Sequence, residues 1–280
     1  MIFHEYSLIF FTVLGQTAVG AYILFALRSL VSNESSASRY KVPLFILWAI
    51  MGVGFLFSTT HLGSPLRAFN ALNKVGSAWL SNEIFFGAAF FAVGGLQWLL
   101  NVLGKVSAII NKVMSIITII LGVLFMNAMV TVYLIDTVPT WNNLYTPLSF
   151  IMTIVLGGLI LWQLMACIAK DSTYNAERNA SIVGLLMVAV SLAVTVGKVM
   201  LLGDIQTSLA QAQDLVPNLN QYVIAQVVLL VAALIIWILP LINKSRLNPI
   251  NMGVALVLFW ASELLGRALF YSTHMTYGLL

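Results

Sequence analysis

The sequence predicts an all-α integral membrane protein: a bundle of eight transmembrane helices, both termini on the non-cytoplasmic side. Three observations carry that expectation. Of the 280 residues 61% are hydrophobic and 8% charged, whereas a soluble domain holds about 25% charged and about 45–50% apolar residues, so the excess apolar surface needs a lipid solvent. The apolar residues fall in runs of about 20, enough to cross a hydrocarbon core. Lys and Arg, finally, gather on alternate loops. The one cysteine, Cys167, lies within an apolar run, which excludes a disulfide framework, a Cys-based zinc site and a Cys-ligated iron–sulfur cluster. A net charge of +4 arises from residues that flank apolar runs, without a basic cluster long enough to track nucleic-acid phosphates.

Taken in order, the first span covers about 8–30. The preceding MIFHEYS carries Glu5 and no Lys or Arg, and the run is longer than the about 7–15-residue core of a signal peptide, so it is expected to stay as helix one. Span two, about 42–60, ends near His61. Ser64 followed by Pro65 is a helix-start signal, and Leu66, Phe69 and Leu72 recur every three residues, which predicts a short interfacial helix with Arg67, Asn70, Asn73 and Lys74 toward polar groups. Span three, about 83–103, follows a Ser81-Asn82 cap that places Glu83 in its first turn.

Span four covers about 112–135. The loop after it, Asp136-Thr-Val-Pro-Thr-Trp141, combines a turn signal with an aromatic suited to headgroup depth, where anchoring is the default role. Span five, about 147–169, contains Gly157-Gly158; like Gly52-Val53-Gly54 and Gly87-Ala88-Ala89, it allows helices to approach closely. Span six, about 180–202, holds Lys198 a turn from its outer end, from where the long stem can snorkel to water. Ile205, Leu209, Ala212 and Val216 predict an interfacial helix between spans six and seven. Spans seven and eight cover about 222–242 and 249–272. In the last, Glu263 and Arg267 stand four residues apart on one face, a spacing that favours an intrahelical ion pair beside the bundle, with quinol-site or proton-path roles as the functional alternative. Connections are short and no linker divides the sequence, so 1–280 is expected to form one domain.

The orientation follows from the loops. Arg28, Arg39, Lys41, Lys105, Lys112, Lys170, Arg178, Lys244 and Arg246 flank four loops on one face, against Arg67 and Lys74 on the other. Positive residues mark the cytoplasmic side. A multi-pass protein of the bacterial cytoplasmic (inner) membrane is therefore expected.

On the outer face a histidine, an arginine and a carboxylate converge: His61, Arg67 and Glu83. Oxidising a membrane quinol requires a lipid-accessible apolar slot, a hydrogen bond to each ring oxygen and a group that accepts a proton as electrons leave. Glu83 is the candidate acceptor, with His61 as hydrogen-bond partner or second acceptor. Arg67 can orient a quinol oxygen, pair with Glu83 or grip a lipid phosphate, and Ser81 and Asn82 are candidate supports. The bland alternative gives Glu83 to the helix dipole and His61 to the interface. The protein is then a structural tether for soluble subunits, with no quinol site of its own. A transporter ranks below both, because no broken-helix pair or midplane series of charges appears. Haem is not expected: His4, His61 and His274 are the only histidines and all map to the outer face, whereas transmembrane b-type haems need histidine pairs.

Five segments resemble one family. They are MGVGFLFSTTHLGSPLRAFNALNKVGSAWLSNEI at 51–84, FFAVGGLQWLL at 90–100, IDTVPTW at 135–141, QAQDLVPNLNQY at 211–222 and ELLGRALFYSTHMTYG at 263–278. Together they resemble the DmsC family, the membrane-anchor subunit of bacterial anaerobic dimethyl sulfoxide reductase. The resemblance implies an eight-helix, haem-free and metal-free anchor in a heterotrimer with an iron–sulfur subunit and a molybdopterin catalytic subunit. It also implies menaquinol oxidation for anaerobic respiration at a site that includes the residues matching His61 and Glu83, with sulfoxide reduction confined to the partner.

Overall fold

The computed structural model describes residues 5–31, 39–60, 65–171, 173–206 and 211–276, those at 65–69 by backbone alone. It contains eight helices long and apolar enough to cross a membrane: α1 (Tyr6–Val31), α2 (Lys41–Thr60), α3 (Trp79–Val102), α4 (Ala108–Thr131), α5 (Tyr145–Ile168), α6 (Tyr174–Asp204), α7 (Leu219–Ile242) and α8 (Pro249–Ser272). Each falls on an expected span. The protein is thus an all-helical, multi-pass membrane protein. The largest difference in bounds is at α6, whose start precedes the apolar run because Thr173 caps it, its hydroxyl accepting from the Ala176 N–H at 3.3 Å.

The bundle is built around α1, which packs against α5 and α2 and also touches α4 and α8. Close backbone approach makes the α1–α5 seam. A Cβ on Gly158 would lie 2.6 Å from the Gly20 carbonyl carbon, and a Cβ on Gly20 would strike the Ile154 carbonyl oxygen. In lipid, where tails are as apolar as leucine, such packing supplies the helix–helix attraction that the hydrophobic effect cannot. The indole of Trp237 on α7 likewise fills the space left by Gly184 on α6, while its Nε1 donates to Gln163 on α5 at 2.5 Å.

Helices alternate in direction, so the loops 32–40, 103–107, 169–173 and 243–248 share one end. Asp171 there receives Arg28 at 3.3 Å and Arg39 at 3.1 Å, and Arg246 grips Glu177 through Nη2 at 2.9 Å. Burial, reinforced by the Asp171 carboxylate, holds the Tyr40 phenol above its ordinary range. Just inside that end, Tyr22 donates to Gln97, whose amide donates in turn to Asn111 and Ser115. This network satisfies polar groups on three helices where no bulk water reaches.

The opposite end carries the loops after α2, α4 and α6. Pro65–Lys74 forms a 3-10 helix, in which residues three apart stack above one another, the spacing of Leu66, Phe69 and Leu72. The expected helix between spans six and seven does not form. Instead Gln206 and Gln211 make a β-bridge, and one 3-10 turn, Ala212–Leu215, follows. The apolar residues that suggested a helix are still used, as Ile205, Ala212 and Val216 pack with Leu202, Leu219 and Leu269. Leu209 lies outside the described residues. Periodicity had recorded burial, and the bridge satisfies it without a helix.

Candidate functional site

Helix α3 starts earlier than the Ser81-Asn82 pair. Its N-cap is Ala78, in extended backbone, and no side chain bonds to the first turn. Ser81 and Asn82 therefore stand inside the helix, and Glu83 occupies its second turn instead of the first. Asn82 still stabilises the approach: its Oδ1 accepts from the Gly76 N–H at 2.6 Å, in a turn where Gly76 takes φ +88°, a conformation that favours glycine. Ser81 is buried.

The shift of register sends the Glu83 carboxyl into the protein. Glu83 is 4% exposed, and its Oε1 has no hydrogen-bond partner among the described residues. It borders a cavity of about 650 Å³ at the end of the bundle that carries the α2–α3 connection. The walls are apolar: Leu8 and Phe11 from α1, Phe55 from α2, and Leu80 and Ile84 from α3. Polar groups enter from α2 as Ser58 and Thr59, and from the far wall as Tyr133 and Tyr271, whose hydroxyls share a hydrogen bond of 2.5 Å. Trp141 and His274 stack at the rim with centroids 4.6 Å apart, and the Trp141 indole is fixed by donation to the Phe270 carbonyl at 2.8 Å.

Of the residues singled out in the sequence, Glu83 lines this cavity. Ser81 and Asn82 support the segment that presents it. His61 lies outside the described residues, and Arg67 is described only as part of the 3-10 backbone. Tyr133, Trp141, Tyr271 and His274 are additional lining residues. Trp141 was expected to anchor the protein at headgroup depth, and here it is also a wall of the cavity. Nothing local marks two tyrosines at helix ends as partners, for they are 138 residues apart.

Glu263 and Arg267 are not placed there. Among the described residues no ion pair joins them directly; both are instead held by Thr153 on α5. Its Oγ1 donates to Glu263 Oε2 at 2.5 Å and lies 3.0 Å from Arg267 Nη2. Arg267 also donates to Gln16 on α1 at 2.8 Å, and its guanidinium lies 3.4 Å from the Phe150 ring centroid. A helical i,i+4 spacing allows a direct pair, but here Thr153 and Gln16 offer better-directed partners. Lys198 does not snorkel outward as expected. Its Nζ sits 5.1 Å from the Phe270 ring centroid and faces the same internal space as Glu263 and Arg267, because cation–π contact and the nearby carboxyl outweigh a path to the surface.

The sequence profile of the DMSO reductase anchor subunit (DmsC) matches residues 1–273. The protein belongs to the DmsC family. It is 43% identical over 277 residues to the anaerobic dimethyl sulfoxide reductase chain YnfH of Escherichia coli strain K12, an alignment spanning 99% of this protein and 97% of that one. A second anaerobic dimethyl sulfoxide reductase anchor of the same strain is 41% identical, and its counterpart in Haemophilus influenzae is 39% identical, with the same coverage on both sides. Among the described residues of this DmsC protein, no three His, Cys, Asp or Glu side chains gather as a metal site would need. What the DmsC fold assembles at the cavity is one carboxyl and a pair of phenols around an apolar slot.

Proposed function

We propose that this protein oxidises menaquinol in the Glu83 cavity, on the non-cytoplasmic side of the bacterial inner membrane. In this reading the electrons pass to an iron–sulfur subunit, and from there to a molybdopterin subunit that reduces the terminal acceptor in anaerobic respiration. The observation that carries the proposal is the unpartnered Glu83 Oε1 in an apolar cavity large enough for a two-ring head group. A buried polar atom left without a partner costs about 1–3 kcal/mol. A ligand hydroxyl that meets it removes that cost.

The division of labour follows from the side chains. Leu8, Phe11, Phe55 and Ile84 hold a flat apolar ring and keep water from it. Glu83 accepts a hydrogen bond from one ring hydroxyl and takes its proton as the electrons depart. The Tyr133–Tyr271 pair meets polar atoms elsewhere on the ring, since each phenolic oxygen can still accept. His274, exposed at the rim against Trp141, hands protons to water. His61 is assigned the second hydrogen bond of the quinol, and Arg67 orients it from the 3-10 helix.

The test is a titration of the purified membrane complex with a fluorescent quinol-analogue inhibitor, comparing the native protein with Glu83→Gln after confirming that both retain their partner subunits. Saturable binding that weakens at least tenfold in the variant is the expected result. Equal binding removes Glu83 from the site. Absence of binding in either leaves the protein as a tether.

A further inference from the structure

A second internal space lies between α5, α6, α7 and α8, apart from the quinol cavity. It measures about 50 Å³. One face is α6, where Ser191, Thr195 and Lys198 line it at spacings of four and seven residues that share a helical side. Glu263 and Arg267 enter from α8, Gln226 from α7 and Ser149 from α5. Lys198 lies six residues before the end of α6, about 9 Å of helix, so the charges sit below the helix ends.

The charge count is uneven. Glu263 and Arg267 are coupled through Thr153 and balance one another. Lys198 remains. Among the described residues no hydrogen bond or ion pair reaches its ammonium, which has only the Phe270 ring beside it. The other ionisable side chain packed nearby is the neutral phenol of Tyr145, against Gly197. A net positive charge within a bundle costs several kcal/mol unless it is balanced. The lining also presents donors. Ser191 is 7% exposed, and neither its hydroxyl nor the Gln226 amide has a partner among the described residues.

We propose that this space is a binding site for one small monovalent anion of halide size, with Lys198 as its counter-charge and Ser191 and Gln226 as neutral donors. Room is sufficient. One water needs about 10–15 Å³ of such space, so the cavity takes a halide and one or two waters. The aromatic contacts agree with two permanent cations, Lys198 on Phe270 and Arg267 on Phe150, since the ring quadrupole favours the charged form. The anion acts in structure: it closes the gap between α6 and α7, which touch each other far less than α7 touches α8.

The complex is purified in chloride-free gluconate buffer, and bromide is soaked into its crystals for anomalous scattering. One bromide peak beside Lys198 is expected, together with a melting temperature that rises saturably when chloride replaces gluconate at constant ionic strength. In Lys198→Met the peak vanishes and melting no longer depends on chloride. In Ser191→Ala the half-saturating chloride concentration rises several-fold. Should the native complex show no bromide peak and melt identically in both salts, the site is wrong, and Lys198 is balanced by loss of its own proton. A peak that persists in Lys198→Met equally overturns the assignment. The native measurements decide the matter even if the variant fails to assemble, and none depends on quinol.

Discussion

The phenolic oxygens of Tyr133 and Tyr271 lie 2.5 Å apart, tying the segment after α4 to the last turn of α8. Their ring centroids are 5.6 Å apart, and Tyr133 also meets Phe150 and Phe270 edge to face or tilted. One hydrogen bond therefore closes the wall of the Glu83 cavity and holds two distant parts of the sequence together.

Replacing either tyrosine with phenylalanine leaves the other hydroxyl buried without its partner, at about 1–3 kcal/mol. Thermal melts of the purified complex should show each single variant destabilised. Tyr133→Phe with Tyr271→Phe should cost less than the two single losses added, as expected for residues in direct contact.

Ala88 lines the cavity and points away from the packed core. Ala88→Phe fills the slot without displacing a core side chain. The variant should assemble and melt like the native complex while its affinity for the quinol analogue falls at least tenfold. Unchanged affinity would move the ligand elsewhere.

At the other end of the bundle, Glu177 is 3% exposed and receives Arg246 through Nε and Nη2 as well as the Leu247 N–H. Arg246→Ala removes the counter-charge of a buried carboxylate, a loss of about 3–5 kcal/mol for a fully buried pair. Arg246 is itself more than half exposed, so the lower part of that range applies. Glu177→Gln, which keeps a polar side chain and leaves Arg246 able to reach water, should cost less; chemical denaturation of the two variants checks the order.

Gly158→Val tests the α1–α5 seam. The added side chain meets the Gly20 backbone, which cannot turn aside as a flexible side chain would. Overpacking typically costs about 1–3 kcal/mol, and contact with backbone places this substitution at the top of that range or above. Loss of assembled protein in detergent, measured by size-exclusion chromatography, is the expected outcome, whereas Gly95→Ala, where a Cβ meets nothing, should be neutral.

The eight spans were legible because bilayer thickness sets the length of an apolar run, and tertiary packing cannot change it. Glu83 was legible as a residue type at a membrane surface. Its burial was not, because that depended on α3 starting at Trp79 without a capping side chain, ahead of the serine and asparagine that looked like the cap. Tyr133 and Tyr271 were hidden by their separation in sequence. Lys198 and the Glu263–Arg267 pair were misjudged for a common reason. Spacing along one helix reveals which side chains can meet on it, but the deciding partners, Thr153, Gln16 and Phe270, stand on α5, α1 and α8. The 205–216 segment shows the converse, since its pattern of burial was right and its helix was not.

The central place of α1 has a consequence for biosynthesis. Translation delivers a protein from its N-terminus, so the helix most enclosed in the finished bundle, with 78% of its apolar window buried, is the first to enter the membrane. Its neighbours arrive late: Gly158 on α5 and Arg267 on α8 are made long after Gly20 and Gln16, which they meet. Until then Gln16 and Thr17 face lipid. Assembly must therefore run against the order of synthesis, with the first helix waiting to be enclosed and the last one, through Arg267, completing its surroundings.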